Sequence, residues 1–268
     1  MNLKKKFTGK WFWITGASSG IGKALALEVA RCGGFLVLSA RNESALKEVC
    51  NDSGLPPEHC LVFPLDISDT DAVKVTAEKV LSIIPELDYV FHVAGISQRS
   101  LIHETSLEVD HRIMDVNYFG TIALTKAVLP AMRKQGRGHF LVTSSVVGRF
   151  GFPVRSAYSA SKHALHGFFE TLMSEYNKDR INVTIAVPGR IQSQVSVNAL
   201  TGDGTPYGVM DPGQEKGMTA EKAAVRMLKA VARRKREVLV GKADAYAVLL
   251  RKYFPGIFFN LATKVSPV

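Results

Sequence analysis

Short apolar runs alternate with helical patterns along most of the 268 residues, and this alternation constrains the fold more than any other feature. The runs cover residues 11–14, 35–39, 61–64, 89–93, 139–143, 183–187 and 238–240. Between them, helical patterns span 21–32, 44–51, 69–84, 107–133, 157–179 and 220–234. Strands separated by helix-length crossovers make right-handed βαβ units and therefore a parallel sheet. Phe35-Leu36-Val37-Leu38 is apolar at every position, which suits a strand covered on both faces. The expected architecture is α/β, a doubly wound parallel sheet with helices on both faces. No linker, repeat or low-complexity stretch divides it, so one domain is expected across 1–268.

One segment breaks the rhythm. Residues 189–217 show little periodicity and carry Gly202, Gly204, Gly208, Gly213, Pro206 and Pro212. A long irregular connection after an apolar strand, on the ligand edge of such a sheet, is expected to be a lid. Val195, Val197, Ala199, Leu200, Tyr207, Val209 and Met210 make it apolar, which points to a hydrophobic substrate.

The first run leads into Thr15-Gly16-Ala17-Ser18-Ser19-Gly20-Ile21-Gly22, which opens the first helix. Glycines let the backbone turn tightly and approach a pyrophosphate, while helix N-terminal amides face its charge. The spacing is GxxxGxG, and its place between a strand and a helix gives it weight. Dinucleotide folds that choose NAD put an acid near the end of the second strand. Here that strand ends Leu38-Ser39-Ala40-Arg41-Asn42, without an acid. Arg41 can pair with a 2′-phosphate, so NADP(H) is the expected cofactor.

Tyr158 and Lys162 are four apart at the start of a helical pattern and share a face. A neighbouring ammonium is expected to lower the tyrosine pKa, and the pair can then exchange a proton with a carbonyl or alcohol oxygen. Ser144 and Ser145 close the fifth strand pattern, with Ser145 thirteen residues before Tyr158. Asn117 lies inside the 107–133 pattern, where an amide is a poor helix former and needs partners. It either organises water beside Lys162 or braces the helix.

Taken together, these residues resemble the short-chain dehydrogenase/reductase family over nearly the whole chain. The resemblance implies a Rossmann-like fold and a catalytic tetrad of Asn117, Ser145, Tyr158 and Lys162. It makes Tyr158 the acid/base and Ser145 the group that orients the substrate oxygen. Lys162 holds the nicotinamide ribose, and Asn117 supports a relay water. It assigns Gly16, Ser18, Ser19, Gly20, Ile21 and Gly22 to the phosphates and Arg41 and Asn42 to the adenosine end. Asp66 and Ile67 contact adenine, and Ala94 and Gly95 allow close backbone approach. Pro188, Gly189, Ile191 and Ser193 match the nicotinamide segment, with Ser193 where threonine is usual. One departure is His92-Val93-Ala94-Gly95 in place of the family's Asn-Asn-Ala-Gly; His92 reads as a packed strand-end residue.

The implied activity is an NADP(H)-dependent oxidoreductase that interconverts a carbonyl and an alcohol on an apolar, lipid- or steroid-like small molecule. A non-catalytic dinucleotide-binding regulator and an epimerase on the same fold are the alternatives. The net charge of +10, from 34 Lys+Arg and 24 Asp+Glu, is dispersed and comes with no nucleic-acid motif, so no nucleic-acid partner is expected. The long patterns carrying Phe119, Leu124, Leu129, Phe168, Phe169 and Leu172 suggest a surplus apolar face and hence a homodimer or homotetramer. The tail, 246–268, mixes aromatic residues with Arg251, Lys252 and Lys264. It packs on the domain or a second subunit, or it touches an anionic membrane peripherally. Cys32, Cys50 and Cys60 have no metal-ligand spacing, so neither a metal site nor a disulfide framework is expected. A reducing, cytoplasmic setting follows.

Overall fold

A computed structural model describes residues 2–262 and 264. Seven parallel strands form one sheet in the order β3-β2-β1-β4-β5-β6-β7. They are β1 (Trp11–Thr15), β2 (Phe35–Ser39), β3 (Cys60–Val62), β4 (Tyr89–His92), β5 (Gly138–Thr143), β6 (Ile181–Pro188) and β7 (Glu237–Val240). The helices are α1 (Leu3–Phe7), α2 (Gly20–Arg31), α3 (Glu43–Ser53), α4 (Thr70–Ile83), α5 (Leu107–Met114), α6 (Gly120–Lys134) and α7 (Ser156–Glu175). The chain closes with α8 (Pro212–Glu215), α9 (Ala220–Ala232), α10 (Ala247–Tyr253) and α11 (Pro255–Ala262). Every apolar run of the sequence is a strand.

Alternation along each strand divides the core between the two faces. Trp11 and Trp13 pack with residues of α4, α6 and α7, while Phe12 and Ile14 pack with residues of α1, α2 and α9. Side-chain caps start several helices. Asn42 caps α3, Asp69 caps α4, and Ser106 and Thr219 cap α5 and α9.

The chain runs outward from β1 to β3 and then returns to lay β4 on the other side of β1. That reversal opens a crevice beyond the carboxyl ends of β1 and β4, where ligands of open α/β sheets bind. The Thr15 hydroxyl accepts hydrogen bonds across it from the Val93 and Ala94 amides, at 3.2 and 3.3 Å.

The structure departs from the sequence reading at three places. The 107–133 pattern is α5 and α6 joined by a π-turn over Asp115–Phe119. The surplus apolar face is smaller than expected, because Leu124, Phe169 and Leu172 are consumed by the molecule's own core and only Phe119 of that set is exposed. Cys50 and Cys60 form a disulfide, with Cα atoms 5.7 Å apart, and Cys32 is free and buried. Packing of α3 against β3 brings the two sulfurs together, and no sequence motif announces it; the bond removes the basis for expecting a reducing compartment. The tail folds into α10 and α11, with residues 263 and 265–268 outside the described part. Among the described residues no helix is long and apolar enough to cross a membrane.

Candidate active site

A cleft of about 870 Å³ fills the crevice. Its floor is the β1–α2 turn. Gly16 adopts φ 66°, and a Cβ there would lie 2.8 Å from the Ala94 backbone. A Cβ on Gly22 would lie 2.1 Å from the Gly16 carbonyl oxygen. Both positions therefore require glycine. Unlike α3, α4, α5 and α9, helix α2 receives no side-chain cap from its Ncap residue, Ser19. Its first amides are left facing the cleft, as a phosphate requires. This cradle fits the pyrophosphate of a dinucleotide.

Arg41 and Asn42 line the cleft beyond β2, with Arg41 exposed and the Asn42 side-chain oxygen already committed to the α3 cap at 3.0 Å from the Ala45 amide. Asp66 and Ile67 line it beyond β3. Burial opposes ionisation of Asp66. Hydrogen bonds from Ser68 and the nearby Arg112 and Arg41 outweigh it and hold the carboxyl below its usual range. Ala94 and Gly95 form the lip after β4, and Pro188, Gly189, Ile191 and Ser193 form the opposite wall after β6. Ser18, Gly20 and Ile21 complete the lining at the turn.

Ser145, Tyr158 and Lys162 line the same cleft. Ser145 lies just past β5 in extended backbone (φ −164°, ψ 163°), and its hydroxyl hydrogen-bonds the Tyr158 phenol. Lys162 is buried on α7, and its ammonium donates to the Thr143 carbonyl at 2.9 Å and lies 5.7 Å from the Tyr158 ring centre. Burial lowers the Lys162 pKa to about 8. Burial raises the Tyr158 pKa above its ordinary 10, and the Ser145 hydrogen bond, Arg99 and Arg155 offset only part of this. That direction is opposite to the one expected from a neighbouring lysine, because desolvation of the phenol outweighs the groups that favour the phenolate.

Asn117 is not part of the cleft surface. It is fully buried in the π-turn, with its amide nitrogen donating to the Ile96 carbonyl (3.0 Å) and to Ser161 (2.9 Å) and its oxygen accepting from the Ile96 amide (2.8 Å). It therefore ties the loop after β4 to α7, directly behind Gly95. His92 is likewise packed, 2.9 Å from the Thr125 hydroxyl.

Of the apolar residues in 189–217, Ile191, Val195, Leu200 and Pro206 line the cleft; Val209 is exposed and Ala199 is buried. The segment is tied down by backbone pairing, from the Arg99 amide to the Leu200 carbonyl (2.8 Å) and from the Leu200 amide to the Ser97 carbonyl (2.9 Å). Sequence reasoning missed the group that completes this tie. Asp211 accepts from the Arg99 guanidinium at 2.6 Å and from Arg155 at 3.2 Å, all three largely buried beside Tyr158. The one available signal was Arg155, three residues before Tyr158.

The family model for short chain dehydrogenases matches residues 10–203. A Xenopus laevis protein named dehydrogenase/reductase SDR family member 7B is 44% identical over 257 residues, covering 92% of this chain and 79% of that protein. The chain belongs to the short-chain dehydrogenase/reductase family. Solved structures agree on the fold. A short-chain dehydrogenase/reductase from Burkholderia phymatum in complex with NAD gives a TM-score of 0.81 at 23% identity, covering 98% of this chain and 97% of that one. A short-chain dehydrogenase from Shigella flexneri complexed with NADP gives 0.74 at 29% identity, covering 87% and 95%. As a short-chain dehydrogenase/reductase the chain is an oxidoreductase of a family that binds a nicotinamide dinucleotide and acts on small molecules.

Proposed function

We propose that this short-chain dehydrogenase/reductase uses NADP(H) to reduce a carbonyl, or oxidise the matching alcohol, on an apolar substrate. The observation that carries the cofactor choice is the exposed Arg41 on the cleft wall at the end of β2, where an NAD-selective site has an acid. Gly16, Gly20 and Gly22 with the α2 amides would hold the pyrophosphate, and Arg41 would hold the 2′-phosphate. Asp66 and Ile67 would meet adenine, Lys162 would hold the ribose beside the nicotinamide, and residues 188–193 would wall the nicotinamide. When bound, the nicotinamide supplies the hydride that the carbonyl carbon receives. The chain supplies the proton. With its pKa raised, Tyr158 is a neutral phenol at physiological pH and donates its proton to the carbonyl oxygen. Ser145 hydrogen-bonds that oxygen and fixes its distance from the phenol. Asn117 acts through others, holding the Ile96 loop against α7.

Residues 189–217 form the lid in this reading. Val195, Leu200 and Pro206 give it an apolar inner surface, which supports a hydrophobic substrate. The exposed Phe119 and Leu107 supply the face of a homo-oligomer. Titration of NADPH and NADH against wild type and Arg41→Ala tests the cofactor choice. Arg41→Ala is expected to weaken NADPH by about 1.5–3 kcal/mol, the range for a hydrogen bond to a charged group, and to leave NADH nearly unchanged. NADPH consumption across a panel of apolar ketones and aldehydes tests the reaction. A wild type that prefers NADH, or cofactor binding without consumption, overturns the reading.

A further inference from the structure

The described C-terminal residues form a helical hairpin with one face docked and the other open. Val248 and Phe258 are buried, and Phe258 packs on Phe150 with ring centres 4.6 Å apart. Leu249, Tyr253, Phe254, Ile257, Phe259 and Leu261 are all between 41% and 63% exposed, a density of exposed apolar side chains unusual on a lone soluble surface. Cations sit among them. The Arg251 guanidinium lies 4.8 Å from the centre of the Phe259 ring, and the Lys252 ammonium 5.2 Å from that of Tyr253. From residue 245 to 268 the sequence has Arg251, Lys252 and Lys264 but no aspartate or glutamate. The face is thus apolar, aromatic and positive.

Its position matters as much as its chemistry. Phe150 belongs to the loop between β5 and α7. In the same loop the Arg155 guanidinium lies 5.3 Å from the Phe152 ring centre, and Tyr158 follows in the first turn of α7. The hairpin is therefore docked on the loop that leads into the proposed catalytic helix.

We propose that the open face of the α10–α11 hairpin seats the protein on an anionic lipid surface, with the substrate side of the cleft beside the bilayer. Aromatic rings suit the headgroup boundary, and cations suit its negative potential. A second copy is a poorer occupant. A two-fold contact places the same patch on both sides, which brings two positive patches together with no acid in 245–268 to answer Arg251 and Lys252. The proposal rests on the apolar-substrate reading only for what the bilayer would deliver; the docking itself stands apart from it.

Flotation of the full chain with phosphatidylcholine vesicles, with and without phosphatidylserine, tests it. At low salt the protein is expected to float with the phosphatidylserine vesicles and to be released at high salt. Lys252→Glu, at an exposed position, is expected to weaken that partition at least about tenfold, since it reverses one charge at the surface. Tyr253→Ser with Ile257→Ser removes two exposed apolar groups and is expected to abolish it. NADPH binding by each variant shows that the fold is retained. Three results would overturn the proposal: no flotation of wild type at low salt, equal flotation of wild type and variants, or a dimeric mass that becomes monomeric in the double variant. Carbonyl turnover measured without vesicles reports separately on the proposed reaction.

Discussion

Tyr158 sits under opposed influences: burial favours the neutral phenol, while Ser145, Arg99 and Arg155 favour the phenolate. Burial wins, so the phenol is a proton donor across the physiological range. Tyr158→Phe keeps the ring and removes the proton. It is expected to lower carbonyl reduction by roughly 10²-fold or more with NADPH affinity little changed, as steady-state kinetics and fluorescence titration will read. Asp211 is the second residue to test. Its one carboxylate is shared by two buried guanidiniums, so Asp211→Asn removes the negative charge that holds Arg99 and Arg155 together. A loss of about 3–5 kcal/mol in chemical denaturation is expected, the range for breaking one side of a buried ion pair. At this scale the sequence is readable where residues act at fixed local spacing, as Tyr158 and Lys162 do. It is silent about the Arg99–Asp211 pair, because 112 residues separate the two and nothing local couples them.

Among the elements, the π-turn at Asp115–Phe119 shows how a continuous apolar pattern conceals a local change of geometry. The 107–133 period persists through it, so the sequence reads as one helix. Beside the π-turn the Thr121 hydroxyl donates to the Asn117 carbonyl, and the Thr125 hydroxyl donates to the Thr121 carbonyl. Widening the helix there turns Asn117 toward Ile96 and Ser161. Gly120 then begins α6 hard against the stretch after β3, where a Cβ would fall 2.1 Å from the Ile67 carbonyl oxygen. The contact is backbone to backbone and has no flexible side chain to yield. Gly120→Ala is expected to cost about 1–3 kcal/mol in a urea titration and to weaken cofactor binding, because Ile67 lines the cleft. An unchanged midpoint would show that the helix and the β3 exit are free to separate.

For the molecule as a whole, buried imidazoles are expected to contribute strongly to the acid limb of stability. Burial pushes His92, His139 and His166 down to about 3, so they stay neutral in the folded state while the unfolded chain takes up protons below about 6.5. Stability is therefore complete above pH 6.5 and falls as the pH drops toward 3. Each histidine costs roughly 2 kcal/mol at pH 5, or about 6 for the three. Urea melts at pH 7 and pH 5 measure this, and equal midpoints would refute it. The strands and the glycine turn were legible because each is a local pattern. The Cys50–Cys60 bond was not, because it arises from tertiary neighbours. That bond has a further consequence. β3 is an outermost strand of the sheet, three residues long, and an unpaired strand edge is a template on which other chains can assemble. Short length limits the template, and the covalent tie to α3 stops β3 from peeling away to offer its backbone to another molecule.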